Sequence, residues 1–181
     1  EGAAVLCLEE REAALARGAT ILGEIKGYGN FSDAFDLTAP SKDPQAKVKT
    51  LRRALEQAGL GSHEIDYINA HGTSTLQNDV NETEAIKAAL GCDAYRTPIS
   101  STKSYTGHLL GASGSFEAIV CLQALQQQMM PATCHLHETD PACDLDYIRE
   151  GHRHGRLRNV MSLSFGFGGA NAALVFGNHY E

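Results

Sequence analysis

Apolar residues along the chain recur with two spacings, one typical of strands and the other typical of helices. Short apolar runs bounded by glycine, proline or polar residues predict strands, and residues repeating every three or four positions predict helices. The two kinds of segment alternate, which predicts an α/β fold with a mixed sheet flanked by helices. The predicted strands cover residues 3–8, 21–28, 65–70, the region of Ile99, 160–165 and 172–176, and the predicted helices cover residues 10–16, 46–57, 80–90 and 109–128.

The helix predicted at residues 109–128 has small residues in its first turns and apolar residues nearly all round. This composition is typical of a buried helix packed closely against its neighbours. His108 directly precedes it, so the positive end of the helix dipole is expected to keep this imidazole neutral. A neutral imidazole can donate one N–H to a carbonyl oxygen without becoming a cation.

Three polar motifs follow predicted strands. His71, Lys103 and the stretch "FGFGG" each come after a strand, and reactive groups in α/β sheets gather at the carboxyl ends of strands. We therefore expect the three motifs at one edge of the sheet. Each also has a purely structural interpretation, since a single histidine is often a cap or a satisfied core group.

Two further features permit alternative interpretations. Asp79 and Glu82 have the spacing of a capping box, but Glu82 could instead pair with Lys103. The stretch "SFGFGGANAALVF" lacks the spacing of a dinucleotide fingerprint. It predicts either a tight turn that brings N–H groups to a ligand, with Phe165 and Phe167 as walls of an apolar pocket, or a simple hairpin between core strands.

Composition narrows the class of protein. The 181 residues are enough for one domain covering residues 1–181, and the net charge of −7 argues against nucleic-acid binding. No apolar run reaches the roughly 18 residues of a membrane span. Five unevenly spread cysteines favour a reducing cytoplasm over a disulfide framework. A group of cysteines and histidines close in sequence lacks zinc-ligand spacing, so it predicts either an irregular loop or a zinc site at Cys134, His135, His137 and Cys143.

The motifs "NAHGTST", "STKSYTGHLLGASG" and "SFGFGGAN", in this order, resemble the C-terminal half of β-ketoacyl-acyl carrier protein synthases of the fatty-acid type. The resemblance covers essentially the whole chain. It implies the layered thiolase-like fold and an acyltransferase that performs a decarboxylating Claisen condensation with malonyl-acyl carrier protein. It also implies a nucleophilic cysteine on the missing N-terminal half. Cys7, in a predicted strand, and Cys121, in the buried helix, lack that setting, because burial raises a thiol pKa.

The resemblance also implies roles for individual residues. His71 and His108 match the histidine pair that donates to the malonyl thioester carbonyl, and Lys103 matches the lysine that orders the site, through Glu82. Phe167 matches a gating phenylalanine. Phe165 is expected to line the substrate pocket, Thr73 and Thr75 match hydroxyls that bind the phosphopantetheine arm, and Asn69, Glu117, Ser162 and Asn171 match positions of a structural monovalent cation.

No other cofactor is implied, since phosphopantetheine arrives on the acyl carrier protein. The implied partners are that carrier protein, the N-terminal half and a second ketosynthase-like subunit in a homo- or heterodimer. A non-catalytic partner subunit of the chain-length-factor type is the alternative, and a thiolase-like acyltransferase without decarboxylation is a third. Leu76 and Gln77 follow "HGTST", where the family often has proline. Fatty-acid and polyketide pathways both stay open.

Overall fold

A five-stranded mixed sheet forms the centre of the molecule in a computed structural model that describes residues 1–179. Its strand order is β1-β7-β6-β2-β3. The first three strands in this order pair antiparallel, whereas β6, β2 and β3 pair in parallel. The mixed sheet predicted from the sequence is therefore confirmed. The sheet strands are β1 (Glu24–Ser32), β2 (Tyr67–Asn69), β3 (Ile99–Ser100), β6 (Asn159–Phe165) and β7 (Ala170–Gly177), and β4 (Met129–Met130) pairs separately with β5 (Arg153–His154).

Five α-helices connect or flank these strands within residues 1–179. They are α1 (Arg11–Ala16), α2 (Gln45–Ala58), α3 (Asn78–Leu90), α4 (Lys103–Thr106) and α5 (Ser113–Gln127). None of them is both long and apolar enough to cross a membrane.

The alternation of side chains along β6 divides the core into two layers. Met161 and Leu163 point to the face covered by α2 and α3, where Leu51 and Ile86 pack against them. Val160 points to the opposite face, against α5. Because successive side chains of a strand point to opposite faces, one central strand supplies both cores. Helix α5 corresponds to the helix predicted at residues 109–128, but it is buried on one face only, because several of its polar residues are exposed. Its start lies beside Ser164, near the carboxyl end of β6.

Helix α2 approaches β1 so closely that the strand has glycine at the contact. A Cβ atom added to Gly27 would lie 2.4 Å from the carbonyl oxygen of Ala54, and one added to Gly29 would lie 2.0 Å from that of Thr50. Neither oxygen can move without distorting the helix, because both belong to its backbone. This contact fixes how closely the middle of α2 lies over β1.

Several predicted elements differ from the structure. Residues 3–8 form no strand, and Val5 and Leu8 are exposed, because no strand within residues 1–179 pairs with them. The strand predicted at 21–28 lies at Glu24–Ser32, since pairing with β7 sets its length. The helix predicted from Leu109 begins only at Ser113, after a 3₁₀ turn in which Leu110 has a positive φ of 51°. Helix α4 and strands β4 and β5 were not predicted, because they are too short to show a period.

The Gly29→Ala substitution is expected to destabilise the protein by about 1–3 kcal/mol, because the methyl group must displace the backbone of α2. Gly114→Ala is the matched control, since its added Cβ finds only the Ser164 hydroxyl oxygen, at an ordinary 3.8 Å. Chemical denaturation of the full-length protein measures both free energies of unfolding. Equal values for the two variants would show that the α2–β1 contact is not tight.

Candidate active site

The loop after β2 is held by the buried carboxylate of Glu82, on α3. The backbone N–H of His71 donates to Glu82 Oε1 at 2.8 Å, and that of Gly72 donates to Oε2 at the same distance. The side-chain amide of Asn78 also donates to Oε2, at 3.1 Å. Both carboxylate oxygens thus act as acceptors, and the capping-box interpretation of Asp79 and Glu82 is wrong.

His71 is buried, and its ring meets two other rings. Its centroid lies 5.4 Å from that of His108 and 5.9 Å from that of Phe165, both in edge contacts. Burial, assisted by the positive charge of Lys103, lowers the pKa of His71 to about 3. The imidazole is therefore neutral at physiological pH and has one N–H to donate.

His108 is more exposed, and its Nδ1 is already engaged. The backbone N–H of Leu110 donates to Nδ1 at 3.0 Å, and the Ser113 hydroxyl lies 3.2 Å from the same atom. Because Nδ1 accepts a hydrogen bond, the proton of the neutral ring is on Nε2. Desolvation, then the charge of Lys103, lowers the pKa of His108. The neutral state predicted from the sequence agrees with this direction, although the causes are burial and Lys103.

Lys103 forms a buried salt bridge with Glu117 of α5. The prediction that it pairs with Glu82 is wrong, since Glu82 accepts from the His71 loop instead. Lys103 starts α4 and Glu117 lies on the next long helix, so the pair ties the two segments on either side of His108 together. Burial raises the pKa of Glu117, and the nearby lysine opposes that shift.

A cavity of about 830 Å³ contains both imidazoles in its wall. Phe165 and Phe167 also line it, as the sequence predicted. Phe165 is 8 % exposed and is held in the sheet, whereas Phe167 is 75 % exposed at the tip of the turn between β6 and β7. Gly168 next to it has a φ of 73°, a conformation that favours glycine. Strands β6 and β7 and the turn between them form the predicted hairpin. The turn also forms part of the cavity wall.

Thr73 and Thr75 line this cavity and also a second one of about 540 Å³. Their hydroxyls are 3.1 Å apart. Lys103 and Glu82 line only the second cavity. The threonine pair therefore lies between the space that contains the imidazoles and the space that contains the lysine.

Three of the four residues predicted for a cation lie together. Asn69 of β2 is the register neighbour of Ser162 on β6, and Ser162 and Glu117 both lie near the Cys121 thiol. The oxygens Asn69 Oδ1 and Glu117 Oε2 are buried without hydrogen-bond partners among residues 1–179. Asn171 does not join them, because it lies opposite Phe165 and donates to the Gly169 carbonyl. Its inclusion in the predicted set is wrong.

None of the five cysteines lines the cavity that contains the imidazoles. Cys121 is fully buried, and burial raises its thiol pKa. Cys7 is exposed and lies outside any strand, contrary to the prediction. Within residues 1–179 there is no group of three or more histidine, cysteine or acidic side chains that could bind a metal ion.

Sequence reasoning missed two residues at this site. Asn78 assists Glu82, and nothing in the local pattern marks it. Lys47, on the first turn of α2, lines the imidazole cavity. The sequence could have indicated Lys47, because it lies on the same face of α2 as Val48 and Leu51. A lysine on a core face is unusual.

Comparison with known proteins agrees with this geometry. Residues 22–137 match the C-terminal domain of β-ketoacyl synthases. The chain is 49 % identical over 176 residues to 3-oxoacyl-acyl-carrier-protein synthase 2 of Synechocystis, covering 97 % of this chain and 42 % of that protein. It is 47 % identical over 175 residues to polyketide β-ketoacyl synthase 1, a putative assignment, of Streptomyces halstedii, with the same two coverages. The chain thus spans 42 % of the length of these relatives.

Solved structures confirm the thiolase-like ketosynthase fold. A β-ketoacyl synthase from Burkholderia phymatum superposes with a TM-score of 0.89 at 44 % identity, covering 94 % of this chain and 41 % of that one. A type II polyketide ketosynthase in complex with its acyl-carrier protein superposes with a TM-score of 0.91 at 36 % identity, covering 94 % and 42 %. The chain belongs to the β-ketoacyl synthase family, of which it carries the C-terminal domain.

Proposed function

We propose that this chain is the C-terminal half of a β-ketoacyl-acyl carrier protein synthase, an acyltransferase that condenses an acyl thioester with malonyl-acyl carrier protein. The edge contact of His71 and His108 in the wall of one cavity carries the proposal. His71 is a neutral donor of one N–H. The lowered pKa of His108 favours the same state, in which His108 offers the N–H of Nε2. Two such donors can converge on a single carbonyl oxygen.

The donors act when malonyl loses carbon dioxide. The carbon–carbon bond to the carboxylate breaks, carbon dioxide leaves, and the electron pair delocalises onto the thioester oxygen as an enolate. N–H groups of His71 and His108 stabilise that oxygen, which gains charge only as the bond breaks. The enolate carbon then attacks the enzyme-bound acyl thioester, and the cysteine thiolate leaves. Lys103 and Glu117 position the segment that carries His108.

The acylated cysteine is proposed to lie on the N-terminal half. No cysteine of this chain lines the imidazole cavity, and the surface around it exposes Leu37 at 82 % and Leu110 at 74 %. Such apolar exposure near a cavity is typical of a surface that another polypeptide covers. The chain alone is therefore expected to be inactive in condensation.

The proposed partners follow from the same site. The hydroxyls of Thr73 and Thr75 are placed to bind the phosphopantetheine arm of an acyl carrier protein, which brings the cofactor group with it. We also propose a homo- or heterodimer with a second ketosynthase-like subunit, in the fatty-acid or polyketide pathway of the cytoplasm. The retention of both imidazoles and of the Lys103–Glu117 pair favours an active ketosynthase over a non-catalytic subunit of the chain-length-factor type.

A structural monovalent cation is proposed beside this machinery. Asn69 Oδ1 and Glu117 Oε2 supply two buried oxygens that lack partners within the described chain, and the Ser162 hydroxyl lies on the neighbouring strand. A hard cation prefers oxygen ligands of this kind. It would stabilise the buried carboxylate of Glu117 and so the position of Lys103.

Substitution of either imidazole separates the two half-reactions. His71→Ala and His108→Ala in the full-length enzyme are each expected to lower the rate of malonyl decarboxylation by about 10²–10³-fold, because each removes one donor to the developing enolate. Acyl transfer to the cysteine should fall by less. Radiometric decarboxylation and acylation assays on the same preparations measure both.

His63→Ala is the matched control, since His63 is exposed on a 3₁₀ turn away from the cavity. It should leave both half-reactions unchanged. Equal loss of decarboxylation and acylation in the two site variants would contradict the assigned role of the imidazoles.

Phe167 is proposed to gate the cavity. Phe167→Ala is expected to slow acylation and blur the selection between primer and malonyl carrier, while the melting temperature stays close to that of the parent enzyme, because the ring is 75 % exposed. Phe176→Ala, in the core, should instead cost about 3–5 kcal/mol of stability. A steep drop in melting temperature for Phe167→Ala, with normal acylation per folded molecule, would show that the ring is only packed.

A further inference from the structure

Lys47 is a buried cation in the wall of the cavity that contains the imidazoles. It is 3 % exposed, on the first turn of α2, and it lines the cavity together with Phe165. Its Nζ lies 4.6 Å from the centroid of the Phe165 ring. The next ring along the wall is His71, 5.9 Å from Phe165. The Lys47 ammonium and the His71 ring thus both contact the Phe165 ring.

The ammonium of Lys47 lacks a hydrogen-bond acceptor among residues 1–179. Three carboxylates are near enough to affect its charge, on Asp33, Asp79 and Glu82. None of them forms a salt bridge with it, and each already accepts N–H groups from its own surroundings. A buried amine without an acceptor is costly, and one cation–π contact with Phe165 replaces only part of its lost hydration.

The missing acceptor can come from the substrate that occupies the cavity. An anionic group is disfavoured there, because Asp33, Asp79 and Glu82 already make the surroundings of Lys47 negative. A neutral carbonyl oxygen accepts an N–H without adding charge, and lysine donates whether it is protonated or neutral. A fully reduced hydrocarbon chain would leave the amine unsatisfied.

We propose that Lys47 is a specificity-determining residue that donates to a keto oxygen on the acyl chain, so that the enzyme prefers oxygenated acyl chains to fully reduced ones. This inference rests on the proposed condensing function and names the substrate class of the same cavity. The reaction that supplies the acyl substrate would then deliver a β-keto or poly-keto thioester that has not been completely reduced.

The test compares two acyl thioesters of equal length, one saturated and one with a 3-oxo group, as substrates of the full-length enzyme. The measured quantity is the ratio of kcat/KM for acylation, 3-oxo over saturated. Lys47→Met removes the donor and keeps the apolar stem, so it is expected to lower this ratio roughly ten- to hundredfold, as loss of a hydrogen bond from a charged donor does. Lys47→Gln keeps an N–H donor and should retain part of the preference.

Lys49→Met is the matched control, because Lys49 is exposed on the same helix. It should leave the ratio unchanged. An unchanged ratio in Lys47→Met would overturn the assignment, as would failure of both Lys47 variants to fold, which would make Lys47 a packing residue. A third acyl thioester carries a carboxylate in place of the keto group. If Lys47→Met lowered kcat/KM most for this thioester, the assignment of Lys47 to a keto oxygen would also be overturned. If the unsubstituted enzyme condensed none of these acyl thioesters, the proposed function itself would be refuted.

Discussion

The carboxylate of Glu82 holds the loop that carries His71, and the geometry of the site depends on it. Removing a carboxylate from water costs several kcal/mol unless hydrogen bonds replace its hydration. Here two backbone N–H groups and the amide of Asn78 donate to its oxygens. These hydrogen bonds hold the backbone of the loop, so the His71 side chain is not needed to fix it. The ring lies at the end of β2 in edge contact with His108 and Phe165. The same carboxylate is therefore unavailable to Lys103, which pairs with Glu117 on α5.

These two buried pairings set the electrostatics of the cavity. Loss of solvent, and then the positive charge of Lys103, lowers the pKa of the two imidazoles. A cationic imidazole would hold malonyl through its carboxylate and oppose the loss of carbon dioxide, whereas a neutral one donates to the carbonyl oxygen. Lys47, on the far side of Phe165, adds a third donor to the wall of this cavity, where the acyl chain is proposed to bind. The buried carboxylates of Glu82 and Glu117 thus hold the segments that carry His71 and His108, and the proposed donors line the cavity.

The sequence predicted the parts of this arrangement that depend on local pattern. Hydrophobic periodicity showed the alternation of helices and strands and the existence of α5, and the predicted strand ends showed the positions of His71 and Lys103. Partners across the fold were not: Lys103 and Glu117 lie on different helices, and no local spacing distinguishes Glu117 from Glu82 as the partner. The false strand at residues 3–8 shows the same limit, since an apolar run becomes a strand only when another strand pairs with it. The motif match groups Asn171 with the cation ligands, and only the strand register shows that Asn171 lies opposite Phe165 and away from Ser162.

Titration of the imidazoles would show whether His71 is a neutral donor. Full-length enzyme with isotope-labelled histidine reports each protonation state by NMR, and comparison with His71→Ala assigns the His71 signal. We expect His71 to stay neutral as the pH falls through the ordinary histidine value of 6.5, and to be still neutral at about pH 5, because burial and Lys103 disfavour the cation. Protonation of His71 with a midpoint near 6.5 would contradict it.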